Sequence, residues 1–229
     1  MNFKIKNDIA FIKRNLKYFS LVELITIFYH RRILVNSLAS ALEPIIDKFS
    51  QINPEDLGPS KYLDLPPWIL ENLGRVYRLD INQKENLKIL DISTGCGYFP
   101  YISNYFGNNA EGTDLIDCEL YNELINKLEI RRQECAIKSF TKLDIIGKFD
   151  LVTSFMICFN NHQSKDLWHI KEWDYFLNNI ISDHLNPGGE IFLSFNAENI
   201  KEPIDTELSD FFKSRNAVVL DNTVHFKLN

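Results

Sequence analysis

From Leu87 to the end of the chain, short apolar runs alternate with longer amphipathic stretches, and this alternation limits the fold more than any other feature. Residues 87–92, 110–114, 131–137, 149–156 and 190–195 read as strands, and 98–106, 117–129, 164–185 and 206–214 as helices. Strands separated by helices must pair through crossover connections. The expected product is an α/β domain with a mostly parallel sheet and helices on both faces. A last pair of runs, 217–220 and 223–228, turns at Asp221-Asn222, a hairpin signal that adds an antiparallel strand. That makes seven strands in all.

The first 85 residues have a different texture. Residues 1–50 read as helical, with Leu21, Leu24, Ile25, Phe28 and Tyr29 and then Ile33, Leu34, Leu38, Leu42, Ile45 and Ile46 spaced along one helix. Pro44 is expected to end or bend that helix. Pro54, Gly58, Pro59, Pro66 and Pro67 mark a loop, after which residues 68–77 turn helical again. The chain therefore divides into a helical N-terminal cap, 1–85, and a sheet domain, 86–229. Charge follows the same asymmetry. Within residues 1–32, seven bases (Lys4, Lys6, Lys13, Arg14, Lys17, Arg31, Arg32) face two acids (Asp8, Glu23), a net +5 in a chain of net −6. Phe3, Ile5, Ile9, Phe11, Ile12, Leu16 and Phe19 are interleaved with these bases. Two readings stand: an arm for an anionic surface or partner, including peripheral contact with a membrane, and a helical cap with a solvated basic face.

Composition removes several function classes. At 45% hydrophobic and 24% charged residues, the 229-residue chain can bury a core without staples. The acidic balance argues against a general grip on nucleic acid, which needs basic surface. The longest apolar run is broken by Glu23 and is too short to span a bilayer. No secretory signal is read at the N-terminus. Cys96, Cys118, Cys135 and Cys158 form no CxxC pair, so metal-ligand spacing is missing and free thiols in a reducing, cytoplasmic setting are expected. Abundant Asn, Ile and Lys hint at a bacterial source.

Chemistry concentrates at the turn after the first strand of the sheet domain. Asp91-Ile92-Ser93-Thr94-Gly95-Cys96-Gly97 sets an acid at the strand tip, then a small glycine-rich turn that opens a helix. Glycines let the backbone approach a ligand, and open α/β sheets bind ligands at the carboxyl ends of their strands. The second strand also ends on an acid, Asp114, followed by Leu115. Lys148-Phe149-Asp150-Leu151-Val152 and Leu185-Asn186-Pro187-Gly188-Gly189 complete the set. Together these segments resemble class I S-adenosylmethionine-dependent methyltransferases over roughly residues 85–229, with Ser93 in place of the usual first glycine. The resemblance implies a Rossmann-like fold and S-adenosylmethionine as cofactor. It implies a cofactor site of Asp91, Ser93, Gly95, Gly97, Asp114, Leu115 and Phe155, with Asp114 on the ribose hydroxyls and Leu115 on the adenine. An acid near the end of the third strand, which the family uses for the adenine amino group, is not found within Ile137-Lys138-Ser139-Phe140. An NAD or NADP enzyme fits less well, because the third glycine of GxGxxG is replaced by Pro100.

The acceptor is expected beside the segment after the fourth strand, Cys158-Phe159-Asn160-Asn161-His162-Gln163. A hydroxyl acceptor needs a base, and the neutral imidazole of His162 can serve, with Asn160 orienting the acceptor. Asn196 and Glu198, after the fifth strand, are further candidates. The pattern Asn/Asp-Pro-Pro-aromatic of base-modifying enzymes does not occur here, which favours a small molecule, a sugar or glycan intermediate among them. The alternative is a silent methyltransferase-like binding module. His30, His169 and His225 are expected to be structural, as are Trp168 and Trp173. Tyr62, Trp68, Arg31 and Arg32 are expected to help cover the crevice.

Overall fold

The computed structural model describes residues 3–50, 58–157, 168–196 and 204–228, with side chains from Lys6 onward. Seven α-helices run Phe3–Asn15 (α1), Leu21–Ser50 (α2), Leu65–Arg78 (α3), Tyr98–Tyr105 (α4), Glu119–Lys127 (α5), Ile170–Asn179 (α6) and Thr206–Ser214 (α7) among the described residues. Seven strands run Lys88–Ile92 (β1), Asn109–Asp114 (β2), Arg132–Glu134 (β3), Phe149–Ile157 (β4), Leu185–Phe195 (β5), Val218–Leu220 (β6) and Thr223–Lys227 (β7). They form one sheet in the order β3-β2-β1-β4-β5-β7-β6. β3, β2, β1, β4 and β5 pair parallel, while β7 runs antiparallel to both β5 and β6. This is the mostly parallel seven-stranded sheet with a closing antiparallel hairpin that the alternation predicts.

The chain folds into two compact units. One is built from residues 1–86, 95–108 and 116–130 and holds α1 to α5. In it, α2 buries Leu24, Ile27, Leu34, Leu38, Leu42, Ile45 and Phe49, spaced largely three or four apart as an amphipathic helix requires. α3 contributes Leu65, Ile69, Leu70, Leu73 and Val76 to the same interior. Pro44 neither ends nor divides α2, which continues to Ser50. Pro44 and Ser40, four residues earlier, are both exposed. Water can therefore reach the Ser40 carbonyl, which loses its helical partner, while Leu42, Ile45 and Phe49 anchor the helix on either side.

The other unit, from residues 87–94, 109–115 and 131–229, carries the sheet with α6 and α7. Ile89, Leu90 and Ile92 of β1 are fully buried, the near-continuous apolar run of a central parallel strand. Trp173, Phe176 and Leu177 of α6 and Phe212 of α7 join Val152, Leu193, Phe195, Val224 and Phe226 in a single core. Trp173 packs against Phe195 and Phe212 with ring centroids 5.2 and 5.7 Å apart. Trp168 and Trp173 are thus core residues, as expected, and His225 hydrogen-bonds Glu190 at 2.7 Å.

Three elements differ from the sequence expectation. α6 gives way at Ile180–His184 to one π-helical turn, which runs straight into β5. Asn179 stabilises that junction: its Oδ1 accepts from the Leu143 backbone at 2.8 Å and its Nδ2 donates to Asp183 at 2.9 Å. The Pro187-Gly188-Gly189 segment is not a turn before β5 but an excursion within it. Phe149 pairs with Leu185 and Leu151 with Glu190, so the intervening β5 residues loop out of register. β3 is three residues long and ends at Glu134, which leaves Ile137–Phe140 in the following loop. No helix among the described residues is long and apolar enough to cross a membrane.

Candidate functional site

In the sheet unit, the candidate side chains Asp91, Asp114 and Phe155 collect at the carboxyl ends of β1, β2 and β4. Asp91 lies on β1 opposite Thr153 on β4 and is 3% exposed. Thr153 Oγ1 donates to one carboxyl oxygen of Asp91 and Thr94 Oγ1 to the other, each at 2.8 Å. The acid at the strand tip is therefore clamped by two hydroxyls, one from the neighbouring strand and one from its own turn. Thr94 is held in turn by β2, since its backbone N–H donates to the carbonyl of Thr113 at 3.1 Å. Gly112 is required for that approach. A Cβ at position 112 would stand 2.4 Å from Thr94 Cγ2.

Ser93 adopts a left-handed backbone with φ of 59°. Ser93, which stands where the sequence resemblance leads one to expect a glycine, thus occupies a conformation that glycine adopts without strain. Asp114 ends β2, and its Oδ1 accepts from the Leu115 N–H at 2.8 Å, which fixes the carboxylate at the strand tip. Leu115 is 41% exposed, an apolar surface directly after the acid. At the far edge Asp114 stands opposite Glu134 in register. An acid does end the third strand, three residues before the stretch where sequence reasoning looked for one.

β4 departs from regular pairing at the same end. Ser154 pairs with Leu193 and Ile157 with Phe195, so β4 carries one extra residue there. Met156 takes up the bulge with φ of 58° and is exposed. Phe155, half-buried, turns its ring to Phe192 at a centroid distance of 5.8 Å. Bulges of this kind re-aim side chains beside binding sites. Asn196, at the exit of β5, is buried, and its N–H donates to the carbonyl of Ile157 at 3.1 Å. Cys158, Asn160, His162 and Glu198 lie outside the described residues.

In the helical unit, the remainder of the glycine turn leads into α4. Gly97 caps that helix with φ of 75°, and a Cβ there would meet Ile125 Cδ1 at 2.5 Å. Gly95, φ 56°, is less crowded: a Cβ there would rest in ordinary contact with the Tyr121 ring at 3.9 Å. Tyr121 belongs to an aromatic group that includes Tyr62 at 5.9 Å, itself 4.4 Å from Trp68. Tyr98 donates its hydroxyl to the carbonyl of Tyr62 at 3.0 Å. Burial pushes the hydroxyls of Tyr98 and Tyr121 far above the ordinary tyrosine value, so both stay protonated as donors. The structure thus brings Tyr62 and Trp68 into one aromatic group with Tyr121, whose ring adjoins Gly95. Arg31 is engaged elsewhere: it pairs with Asp8 and lies over Phe28.

Sequence reasoning missed the two threonines on Asp91. Thr94 stood within the quoted turn, but only strand register reveals Thr153. It also missed His184, buried in the π turn at the amino end of β5 with neither ring nitrogen hydrogen-bonded among the described residues. That end of the sheet is opposite to the cluster around Asp91.

No family model matches the chain. It is 28% identical over 136 residues to an uncharacterized protein of Rickettsia prowazekii (strain Madrid E), a match that covers 57% of this chain and spans about half, 51%, of that relative. Among solved structures it is similar to the ribosomal protein L11 methylase of Lactobacillus delbrueckii subsp. bulgaricus, with 17% identity, a TM-score of 0.42, and coverage of 68% of this chain and 80% of that one. An S-adenosylmethionine-dependent methyltransferase of Clostridium acetobutylicum gives 21% identity and a TM-score of 0.43, with 65% and 56% covered. An amino pentose methyltransferase of Micromonospora echinaspora gives 20% and 0.41, with 55% and 49% covered. The mostly parallel seven-stranded sheet, with β7 antiparallel between β5 and β6, is the Rossmann-like architecture that the sequence resemblance implies.

Proposed function

We propose that the chain binds S-adenosylmethionine through the turn 91–97 and the end of β2, and acts as a methyltransferase on a small molecule with a hydroxyl acceptor. One observation carries this reading: adjacent parallel strands end on two fixed carboxylates, Asp91 clamped by Thr94 and Thr153, and Asp114 tied to the Leu115 amide. The donor set suits the group. A carboxylate at the end of β2 can accept from two vicinal hydroxyls at once, and exposed Leu115 offers an apolar face to a base. Without a side chain at Gly95, a ligand can approach the backbone amides of the turn directly.

When bound, the cofactor supplies a methyl group already activated by its sulfonium. What remains for the chain is orientation, which accounts for much of the acceleration in such transfers. Asp91 orders the turn rather than reaching outward, because it is buried and both oxygens are engaged. Ser93, Gly95 and Gly97 give the turn its left-handed steps. Phe155 lines the end of β4, Asn160 orients the acceptor, and His162 takes its proton.

Isothermal calorimetry with S-adenosylhomocysteine tests the reading. The parent protein is expected to bind. Asp114→Ala should weaken binding by about ten- to a hundredfold, the equivalent of ~1.5–3 kcal/mol for hydrogen bonds to a charged group. No binding by the parent overturns the proposal in favour of a silent binding module.

A further inference from the structure

We propose that the turn joining α1 to α2 docks on an anionic lipid surface. Leu16 is 61% exposed, Leu21 73%, Val22 72%, Ile25 62% and Tyr29 62%. Scattered apolar residues on a surface need no explanation, but these are contiguous. Leu21, Ile25 and Tyr29 follow one another at four-residue spacing along one face of α2, Val22 flanks them, and Leu16 borders them from the other side of the turn. The opposite face of the same helix, through Leu24 and Ile27, already fills the interior of the unit. The first turns of α2 are therefore apolar on two sides and packed on one.

Charge identifies the occupant. α1 and α2 run antiparallel, as fixed by the Arg31–Asp8 ion pair and the Phe11–Phe28 ring contact, whose centroids are 6.2 Å apart. That register sets two exposed lysines beside the patch, Lys17 level with Val22 and Lys13 level with Thr26. Arg32 follows on the apolar face of α2 itself, eleven residues past Leu21 and so about three helical turns along. The one acid of the turn, Glu23, is engaged locally: its carboxylate accepts from the Ser20 N–H and hydroxyl at 2.7 Å, and these bonds hold its pKa down. Ser20 returns a bond to its own hydroxyl from the Glu23 N–H at 3.2 Å, a capping box that makes the turn rigid. An apolar tip ringed by bases complements an anionic bilayer, where side chains enter the acyl boundary and cations meet headgroups. A second copy of the chain fits less well. A twofold contact through this patch doubles its basic charge and adds no acid beyond Glu23, which Ser20 already engages.

The test uses the full chain and phosphatidylcholine vesicles with and without phosphatidylserine, read by co-sedimentation. Binding is expected only with phosphatidylserine, and is expected to fade as salt shortens the screening length. Leu21→Ser/Ile25→Ser and Lys13→Glu/Lys17→Glu should each weaken it by at least about tenfold. Both pairs are exposed, so the thermal midpoint and S-adenosylhomocysteine affinity should hold. Equal binding to neutral vesicles, no binding at all, or full binding by both double variants overturns the proposal. So does a parent that sediments as a dimer and ignores vesicles, with Leu21→Ser/Ile25→Ser returning it to a monomer.

Discussion

Thr153 donates its hydroxyl to the carboxyl group of Asp91 across the β1–β4 pair at 2.8 Å, and both residues are buried. Asp91 cannot relax toward water, so this bond and its counterpart from Thr94 set the shape of the glycine turn. Thr153→Val keeps the branched shape and removes the donor. It should cost ~1–3 kcal/mol in denaturant unfolding, since a buried acceptor loses its partner. S-adenosylhomocysteine affinity should fall with it, because the turn is the element being held. A variant with parent stability and parent affinity would show that Thr153 merely fills space.

Ser93 offers a prediction of opposite sign. A non-glycine residue at φ 59° carries strain of order 1–2 kcal/mol. Ser93→Gly relieves it, and the greater freedom of glycine in the unfolded chain returns part of the gain. The expected net effect is a stabilisation of up to about 1 kcal/mol, or a rise in Tm of ~2–4 °C for a chain of this size. Differential scanning calorimetry decides the matter. A fall in Tm would mean that the serine side chain contributes a bond worth more than the strain.

These two residues show how much of the candidate site could be read in advance. Asp91, Ser93 and Asp114 are legible because an acid at a strand tip followed by small residues is a local pattern, and β1 and β2 lie close to the expected bounds. Thr153 is not legible, because its role exists only once β4 pairs with β1 at that register. The looping of residues 186–189 out of β5 is hidden for the same reason: Pro187-Gly188-Gly189 signals a turn, and pairing on both sides of it is a long-range fact. Pro44 illustrates local propensity overridden, since buried Leu42, Ile45 and Phe49 hold the helix through it. The basic segment also divides: Phe11 and Phe19 are core residues, whereas Leu16, Leu21 and Val22 are exposed beside the bases.

The ion pair between Lys142 and Asp183 predicts a pH effect. Hydrogen bonds from Lys142 first, and from Ser182 second, lower the Asp183 carboxyl from 3.8 to about 2. A carboxyl with a depressed folded pKa contributes stability above its unfolded value and loses it as pH falls. The window here runs from about pH 4 down to about pH 2. Both partners are solvent-accessible, so salt should screen the effect. In a carbon-detected NMR titration, Lys142→Ala should return the Asp183 midpoint toward 3.8. A midpoint that stays low in that variant would assign the shift to the remaining donors, Ser182 and Asn179.

His162 follows β4 by five residues and is the proposed base for a hydroxyl acceptor. Only neutral imidazole accepts a proton, so kcat/KM should rise with pH through the histidine pKa and then level off. His162→Ala should lower kcat by roughly 10²–10⁴-fold, the usual share of general-base catalysis, with S-adenosylhomocysteine affinity unchanged. His162→Gln keeps volume and hydrogen bonding but not basicity, and should fail to the same degree. Retention of more than about a tenth of parent activity by His162→Gln removes the histidine from proton transfer. Glu198, after the end of β5, would then be the next base to substitute. Activity that survives both substitutions and still rises with pH would point to an amine acceptor, which titrates by itself and needs only its neutral form.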